Sequence, residues 1–152
     1  MADDSGNVRP AHPDYERVVR ESFARQGLMK QLGAWMVEVA PGRVVIELPY
    51  AGRVTQQQGF FHGAVIAAIG DVAGGYAALS LMPAASEVVT VEYKVNFIRP
   101  AKGPLVRATG EVVRAGRSIT VARIDVALVD GDQAETCALL QASYARFAAV
   151  AG

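Results

Sequence analysis

The sequence is poor in cysteine and has no excess of either charge, and these two features exclude several classes of function. Its single cysteine, Cys137, allows no intrachain disulfide, and the Cys and His spacings of structural metal sites are missing. Lys and Arg total 15, as do Asp and Glu, so the formal net charge is zero. Because no basic stretch supplies the electrostatic footprint of a nucleic-acid binder, we expect no nucleic-acid partner. We also expect no metal site, since the metal-ligand spacings are missing. A reducing, cytoplasmic setting fits this composition.

The N-terminal ten residues lack the apolar core of a secretory signal, and they contain Asp3 and Asp4. We interpret residues 1–12 as a flexible leader. Residues 13–150 then form one domain, since a chain of 152 residues suits a single domain. With 51% of the residues hydrophobic, such a domain can bury a sizeable core.

The longest apolar stretch predicts a helix from Gly63 to Leu81, which Pro83 stops. Its apolar residues run all round the helix, as is typical of a buried helix. Asp71 lies at its centre, where a charge would be costly in a bilayer, so no membrane contact is expected. Each interior glycine costs about 1 kcal/mol relative to alanine, which is tolerable if a sheet or a partner backbone approaches closely.

Strand patterns account for most of the remaining chain. Val89 to Ile98 alternates in polarity, with Val91, Tyr93, Val95 and Phe97 on one face, as in a half-buried strand. The other predicted elements are a short helix from Pro13 to about Gln26, a polar loop over 49–58, and strands over 35–39, 44–48, 105–114, 119–129 and 134–147.

This order of elements predicts an α+β domain. Strands joined by hairpins form an antiparallel sheet, and the apolar helix must be covered by the inner face of that sheet. An antiparallel sheet wrapped around one long central helix is the hotdog fold, although other α+β sheets share the same order.

The segment from Gln56 to Asp71 combines the features of an active site. Gly59 and two aromatic residues lead into the helix, whose first N–H groups have no intrahelical partner and lie at the positive end of its dipole. Because Gly63 has no side chain, a ligand oxygen can approach its N–H closely, as an oxyanion hole requires. Burial of the Asp71 carboxylate in an apolar helix is expected to raise its pKa.

Helical geometry predicts that this site is divided between two chains. His62 and Asp71 are nine positions apart, which places them on opposite sides of the helix and about 13 Å apart along it. One chain therefore cannot bring the Gly63 N–H and the Asp71 carboxylate to the same carbonyl group. Two antiparallel copies of the helix can, so a symmetric dimer with two sites is expected.

This segment resembles the motif of the PaaI-like and 4-hydroxybenzoyl-CoA-type hotdog thioesterases. In that motif an Asn or Gln precedes His-Gly by six residues, and an Asp or Glu follows the His by nine. The matching residues here are Gln56, His62, Gly63 and Asp71. The resemblance extends roughly from Gly33 to Phe147 and includes the family-like segment from Asn96 to Gly103. It implies an acyl-CoA thioesterase that hydrolyses an aryl or short- to medium-chain acyl-CoA, without a metal or redox cofactor.

The resemblance also implies a role for each residue. The N–H of Gly63 would bind the thioester carbonyl oxygen, and Asp71 would act as nucleophile or as general base toward water. Gln56 would orient the water or the carbonyl, and His62 would hold the loop or support the thiolate side. Thr90 matches a position at which some relatives place a Ser or Thr hydroxyl that helps to hold the water.

Two departures from the family pattern concern the choice of substrate more than the type of reaction. Ala64 stands where a second glycine usually follows His-Gly. Gln56 in place of Asn is typical of one subfamily, whereas Asp71 in place of Glu is typical of the other.

The CoA portion of such a substrate needs cations for its phosphates and a surface for its pantetheine arm. The candidates, at strand ends and turns where relatives bind CoA, are Arg99, Lys102, Arg114, Arg117 and Ser118. Phe61, with Phe60 and Tyr76, suggests an aromatic or medium-chain acyl pocket. The resemblance implies a homodimer, with two dimers pairing into a homotetramer.

The same residues are also compatible with purely structural roles, and their spacing alone does not exclude these. Asp71 could be a structural carboxylate, Gln56 an ordinary polar residue of a loop, and Thr90 simply a good strand former. Two other functions also fit the fold. One is a non-catalytic acyl-CoA-binding module, and the other is a hotdog hydratase or dehydratase, although the motifs expected of the latter are not evident.

Overall fold

A six-stranded antiparallel sheet packs against one long helix in the computed structural model, which describes residues 8–149. The helices are α1 (Tyr15–Ala24), α2 (Gly27–Leu32) and α3 (Gly63–Leu79). The strands are β1 (Trp35–Ala40), β2 (Arg43–Pro49), β3 (Ser86–Phe97), β4 (Leu105–Ala115), β5 (Ile119–Asp130) and β6 (Gln133–Ala148). The order across the sheet is β1-β2-β4-β5-β6-β3, so β1 and β3 are its edges. The α+β hotdog architecture expected from the sequence is confirmed.

Tight turns join β1 to β2, β4 to β5 and β5 to β6. Gly42 links β1 to β2 with φ 73°, and Gly131 links β5 to β6 with φ 57°. Glycine adopts these positive angles at little steric cost, whereas most other residues do not. β3 instead follows α3 and reaches the sheet by pairing with β6, so the strand that comes directly after the central helix lies at an edge.

Small residues bring α3 very close to the sheet. A Cβ atom on Gly110 of β4 would lie only 2.5 Å from the carbonyl carbon of Ala73 in α3. A Cβ atom on Gly74 would overlap the hydroxyl of Tyr144, which comes from β6. The glycines of this helix are thus explained by the approach of the sheet of the same chain.

The hydrophobic core fills the space between α3 and the inner face of the sheet. Its largest fully buried side chains include Tyr144, Ile46, Leu48, Ile69 and Ile124. Full burial of an aliphatic side chain of this size contributes about 1.5–3 kcal/mol, so this layer holds the helix firmly in place.

Two predicted boundaries differ from the structure. The predicted helix from Pro13 to about Gln26 is shorter, as α1 covers Tyr15–Ala24, and Gly27 begins a second helix, α2, which Gly33 ends in the left-handed conformation at φ 80°. α3 ends at Leu79 rather than Leu81, and the hydroxyl of Ser80 donates to the carbonyl of Ala77. Short-range capping decides both boundaries, and hydrophobic periodicity does not report it.

The apolar face of β3 is more exposed than predicted. Val95 and Phe97 lie opposite the buried Leu140 and Ala138 of β6 and therefore face the helix side of the sheet. However, Phe97 is 53% exposed, and Val91, which sits at a bulge, is 57% exposed. Because β3 is an edge strand, its apolar side chains extend past the cover that α3 provides.

Some of the predicted features fall outside the described part of the chain. Residues 1–7 of the predicted leader and Val150 at the end of the predicted domain lie outside it. Within residues 8–149, no helix has both the length and the hydropathy that crossing a membrane requires.

The contact between Gly110 and α3 predicts a large effect from one added methyl group. Gly110→Ala should lower the free energy of unfolding by about 1–3 kcal/mol or more, because the methyl group would meet backbone atoms that cannot rotate away. Gly27→Ala is the matched control, since a Cβ atom there meets nothing within 4 Å. Urea unfolding of both variants measures the difference, and equal stabilities would contradict the proposed close packing.

Candidate active site

Backbone hydrogen bonds fix the loop that leads into α3. The N–H of Phe61 donates to the carbonyl of Ala101 at 2.8 Å, and the N–H of His62 donates to that of Val54 at 2.9 Å. Ala101 precedes β4, and Val54 ends a short 3₁₀ turn over Gly52–Val54. The N-terminus of α3 is therefore held between two segments that are far apart in the sequence.

His62 caps the N-terminus of α3. Its Nδ1 atom accepts a hydrogen bond from the N–H of Ala64 at 2.9 Å. An accepting Nδ1 carries no proton, so the proton of the neutral ring is on Nε2. This contact is a cap in the usual sense, in which a side chain satisfies one of the free N–H groups of the first turn.

Gly63 is the first residue of α3, and its N–H has no acceptor within residues 8–149. The ring of Phe97 lies over this position, since a Cβ atom on Gly63 would be 3.1 Å from the ring. Both residues line a cavity of about 370 Å³ together with Gln56 and Phe60. A free N–H at the positive end of a helix dipole, facing a cavity, can stabilise a developing negative charge on an oxygen atom.

The side chain of Gln56 is largely engaged by its own loop. Its Oε1 atom accepts from the N–H of Gln58 at 2.5 Å and from that of Phe60 at 3.2 Å. Its Nε2 atom donates to the side chain of Gln58 at 3.1 Å, which leaves the second hydrogen of the amide group. Gln56 thus shapes the turn and also lines the cavity beside Gly63.

Asp71 lies in the middle of α3 and bonds to the edge strand. The hydroxyl of Thr90 donates to its Oδ1 atom at 2.8 Å. Burial raises the pKa of the Asp71 carboxyl, while the Thr90 hydrogen bond and a smaller effect of Tyr144 lower it, and the net shift is upward. A carboxyl group with a raised pKa is a stronger base once it is ionised.

Tyr144 supports the same turn of α3 from β6. Its hydroxyl donates to the main-chain carbonyl of Asp71 at 2.9 Å, and its side chain is fully buried. Burial and then the neighbouring Asp71 carboxylate raise the pKa of Tyr144, so the hydroxyl stays protonated and keeps donating. This residue holds the helix at the depth at which Asp71 meets Thr90.

The two halves of the predicted site face different cavities. Asp71 and Thr90 line a cavity of about 300 Å³, whereas Gly63 and Gln56 line the larger one. Gly63 and Asp71 are eight residues apart on α3, which corresponds to about 12 Å along its axis. The structure thus joins Asp71 with Thr90 and Gly63 with Gln56, but it does not join the two pairs within one chain.

The predicted CoA-binding residues also fall into two groups. Arg99 lines the cavity beside Gly63 and forms an ion pair with Glu135, and Lys102 lies near the same loop. Arg114, Arg117 and Ser118 lie at the turn between β4 and β5, where Ala115 pairs with Thr120. That turn is at the far end of strand β4, roughly 30 Å from the first group at 3.3 Å per residue.

The predicted aromatic pocket is divided in the same way. Phe60 and Phe61 line the cavity beside Gly63, and Phe61 is buried with its ring edge-to-face against Tyr50 at 5.4 Å. Tyr76 instead lines the cavity beside Asp71.

The sequence did not indicate that α1 contributes to the site. Ser22, Arg25 and Gln26, at the end of α1 and just after it, line the cavity beside Asp71. Ser22 and Gln26 are four residues apart and so fall on one side of the helical turn. That spacing was visible in the sequence, but the place where α1 docks was not.

Comparisons with known proteins agree with this fold. The sequence model of the thioesterase superfamily matches residues 58–135. A candidate esterase of Saccharolobus solfataricus is 34% identical over 117 residues, covering 76% of this chain and 82% of that protein. A 1,4-dihydroxy-2-naphthoyl-CoA hydrolase of Listeria monocytogenes is 28% identical over 100 residues, covering 66% and 81%. The crystal structure of a thioesterase family protein from Silicibacter pomeroyi has a TM-score of 0.86 at 40% identity, covering 88% of this chain and 98% of that one.

The raised pKa of Asp71 predicts that this carboxylate destabilises the fold at neutral pH. A group whose pKa is higher in the folded state loses stability as the pH rises through that value. Asp71→Asn should therefore raise the free energy of unfolding near pH 8, and the gain should shrink toward pH 4. Urea unfolding across this range measures it. The same change at the exposed Asp132 should shift stability by less than about 0.5 kcal/mol, and a destabilised Asp71→Asn at pH 8 would contradict the assignment.

Proposed function

This chain belongs to the thioesterase superfamily, and we propose that it hydrolyses acyl-CoA thioesters to a free acid and CoA in sites shared between two copies of the chain. Its family makes it a thioester hydrolase. One observation carries the rest of the proposal. A carboxylate with its hydroxyl partner and a free helix N–H, which could serve as base or nucleophile and as oxyanion-hole donor, face different cavities of the same chain.

The proposed reaction uses the two halves on one carbonyl group. The Asp71 carboxylate either removes a proton from the attacking water or attacks the carbonyl carbon itself as nucleophile. In both cases the carbonyl oxygen becomes an oxyanion, and the N–H of Gly63 stabilises it by a hydrogen bond. The C–S bond then breaks, the thiolate of CoA takes up a proton, and water has supplied the new oxygen of the acid. Thr90 holds the Asp71 carboxylate in position throughout.

The edge strand supports a dimer that completes the site. β3 pairs with β6 on one side, and its other side has no strand partner within residues 8–149. An exposed edge with apolar side chains is a template for pairing with another chain. Val91, Tyr93 and Phe97 supply that apolar surface on β3.

Antiparallel pairing of two β3 strands would bring the half-sites together. Side chains directly opposite each other in an antiparallel pair share a face, so a twofold axis at Lys94 would pair Tyr93 of one copy with Val95 of the other. The same axis sets Phe97 of each copy opposite the bulge that holds Thr90 in the other. Because Phe97 lies over Gly63 and Thr90 bonds to Asp71, the Gly63 N–H of one copy then approaches the Asp71 carboxylate of the other. Each dimer holds two such sites, as its symmetry requires.

The same pairing would reunite the two groups of basic residues. Arg99 and Lys102 lie near one end of β3, and Arg117 and Ser118 lie near the other, where the N–H of Arg146 donates to the carbonyl of Ser118. In an antiparallel pair, these opposite ends become neighbours. Cations from two copies could then hold the phosphates of one CoA.

A panel of acyl-CoA substrates tests the proposed reaction. The wild-type protein should hydrolyse short-chain, medium-chain or aryl acyl-CoA thioesters, and kcat/KM should fall at low pH as Asp71 becomes protonated. Asp71→Ala should lose hydrolysis while calorimetry still detects CoA binding. If the wild-type protein binds acyl-CoA but hydrolyses no member of the panel, it is a binding module and the proposal fails.

Mixed dimers test whether the site is shared. Gly63→Pro removes the N–H yet suits the first position of a helix, and His62 already has the extended conformation that a following proline needs. Loss of one oxyanion-hole donor should lower kcat by about 10²- to 10³-fold. The control is Gly63→Ala, which adds a Cβ atom at the same position but keeps the N–H.

Refolding Gly63→Pro with an equal amount of Asp71→Ala should restore activity. Half of the dimers are then mixed, and each mixed dimer holds one complete site, so about one quarter of wild-type activity is expected. A site built within one chain would show no recovery, because every chain in the mixture carries one of the two defects.

A further inference from the structure

The turn over residues 56–60 forms one wall of the cavity beside Gly63, and it is closed largely on itself. Gln56, Gln58 and Phe60 line the cavity, and Gly59 takes the left-handed conformation at φ 81°. The N–H of Gln56 donates to the carbonyl of Phe60 at 2.9 Å, and that of Gly59 donates to the carbonyl of Gln56 at 3.1 Å. Within residues 8–149, the side chain of Gln56 bonds to Gln58 and Phe60 alone.

Tyr50 holds the 56–60 turn from outside the cavity at two points. Its hydroxyl donates to the carbonyl of Gly59 at 2.7 Å. Its ring packs edge-to-face against Phe61, the residue that follows the turn, with the ring centroids 5.4 Å apart. Tyr50 comes directly after β2 and is itself fixed, since its N–H donates to the carbonyl of Pro104 at 2.9 Å. In the described part of the chain, no other hydrogen bond joins the 56–60 turn to the rest of the protein.

The groups proposed to react are fixed by other contacts. The N–H groups of Phe61 and His62 donate to main-chain carbonyls that do not belong to Tyr50, and these two bonds set the start of α3 and hence the position of Gly63. Asp71 faces the other cavity. A weaker hold on the 56–60 turn would therefore change the wall that a substrate contacts and leave the reacting groups where they are.

We propose that Tyr50 is a positioning residue for substrate binding, whose hydroxyl holds the 56–60 turn in place as the wall of the cavity beside Gly63. This role rests on the proposed hydrolysis and deepens it, because it brings in a residue that lines neither of the two cavities. Without the hydroxyl, the turn occupies its binding-competent position for a smaller fraction of the time, and the apparent affinity for acyl-CoA falls accordingly. The ground state and the transition state lose this binding equally, so KM rises while kcat stays the same.

Tyr50→Phe isolates the role of the hydroxyl, because it keeps the ring against Phe61. With the acyl-CoA that the wild-type protein hydrolyses best, KM should rise by about two- to tenfold, as expected for one hydrogen bond, and kcat should stay within about twofold. Tyr50 is 40% exposed, so water can replace the lost donor and limits the effect. Tyr15→Phe is the matched control and should change neither constant, since the hydroxyl of Tyr15 has no hydrogen bond within residues 8–149.

Two further measurements separate positioning from general damage to the fold. Calorimetry with CoA should show weaker binding to Tyr50→Phe by a factor similar to the change in KM. Amide hydrogen exchange at Gly59 and Phe60 should be faster than in the wild type, while exchange at His62 should be unchanged. A variant that merely folded less well would lower kcat through its active fraction and would leave KM at the wild-type value.

The outcomes separate the role of Tyr50 from the reaction on which it rests. An unchanged KM in Tyr50→Phe overturns the positioning role and leaves the proposed hydrolysis intact. If the wild-type protein hydrolyses no acyl-CoA, the proposed function fails, and the affinity for CoA and the exchange rates then decide the role of Tyr50 by themselves. If Tyr50→Phe does not fold, the same constants are measured with Tyr50→Leu, and a wild-type KM in that variant overturns the role.

Discussion

The close contact between α3 and the sheet is the constraint on which the rest of the structure depends. Gly110 lets strand β4 approach the backbone of α3, and Gly74 leaves room for the hydroxyl of Tyr144. Tyr144 then donates a hydrogen bond to the main-chain carbonyl of Asp71 and anchors that turn of the helix. At that depth, Asp71 meets Thr90 of the edge strand. A bulkier residue at the contact would lift the helix and separate the carboxylate from its hydroxyl partner. The packing of α3 against the sheet therefore also sets the position of Asp71 relative to Thr90.

The position of Asp71 joins a cost in stability to a gain in reactivity. Desolvation raises the pKa of its carboxyl, and the Thr90 hydrogen bond offsets this only in part. The same burial that disfavours the charge makes the ionised carboxylate a better base. Functional sites are where such locally unfavourable groups are expected, because the rest of the fold compensates for them.

The free edge of β3 and the divided candidate site have the same explanation in the proposed dimer. Within residues 8–149, the chain exposes Val91, Tyr93 and Phe97 on a strand that has a partner on one side only, and Gly63 and Asp71 face different cavities. Antiparallel pairing of two copies would remedy both. α1 then adds a different element, since residues at its end and just after it line the cavity beside Asp71.

The sequence by itself determined the type and order of the elements, the family, and the candidates for the reactive groups, because hydrophobic periodicity and residue spacing are local properties. Gln56, His62, Gly63 and Asp71 could be named as candidates because their spacing resembles the family motif. The tertiary structure alone decided that His62 is a helix cap, that the Gln56 side chain bonds mainly within its own loop, and that α1 covers the second cavity. It also decided that the apolar face of β3 is left open. These features depend on which distant segments meet, and no local pattern encodes the place where a helix docks or a strand becomes an edge.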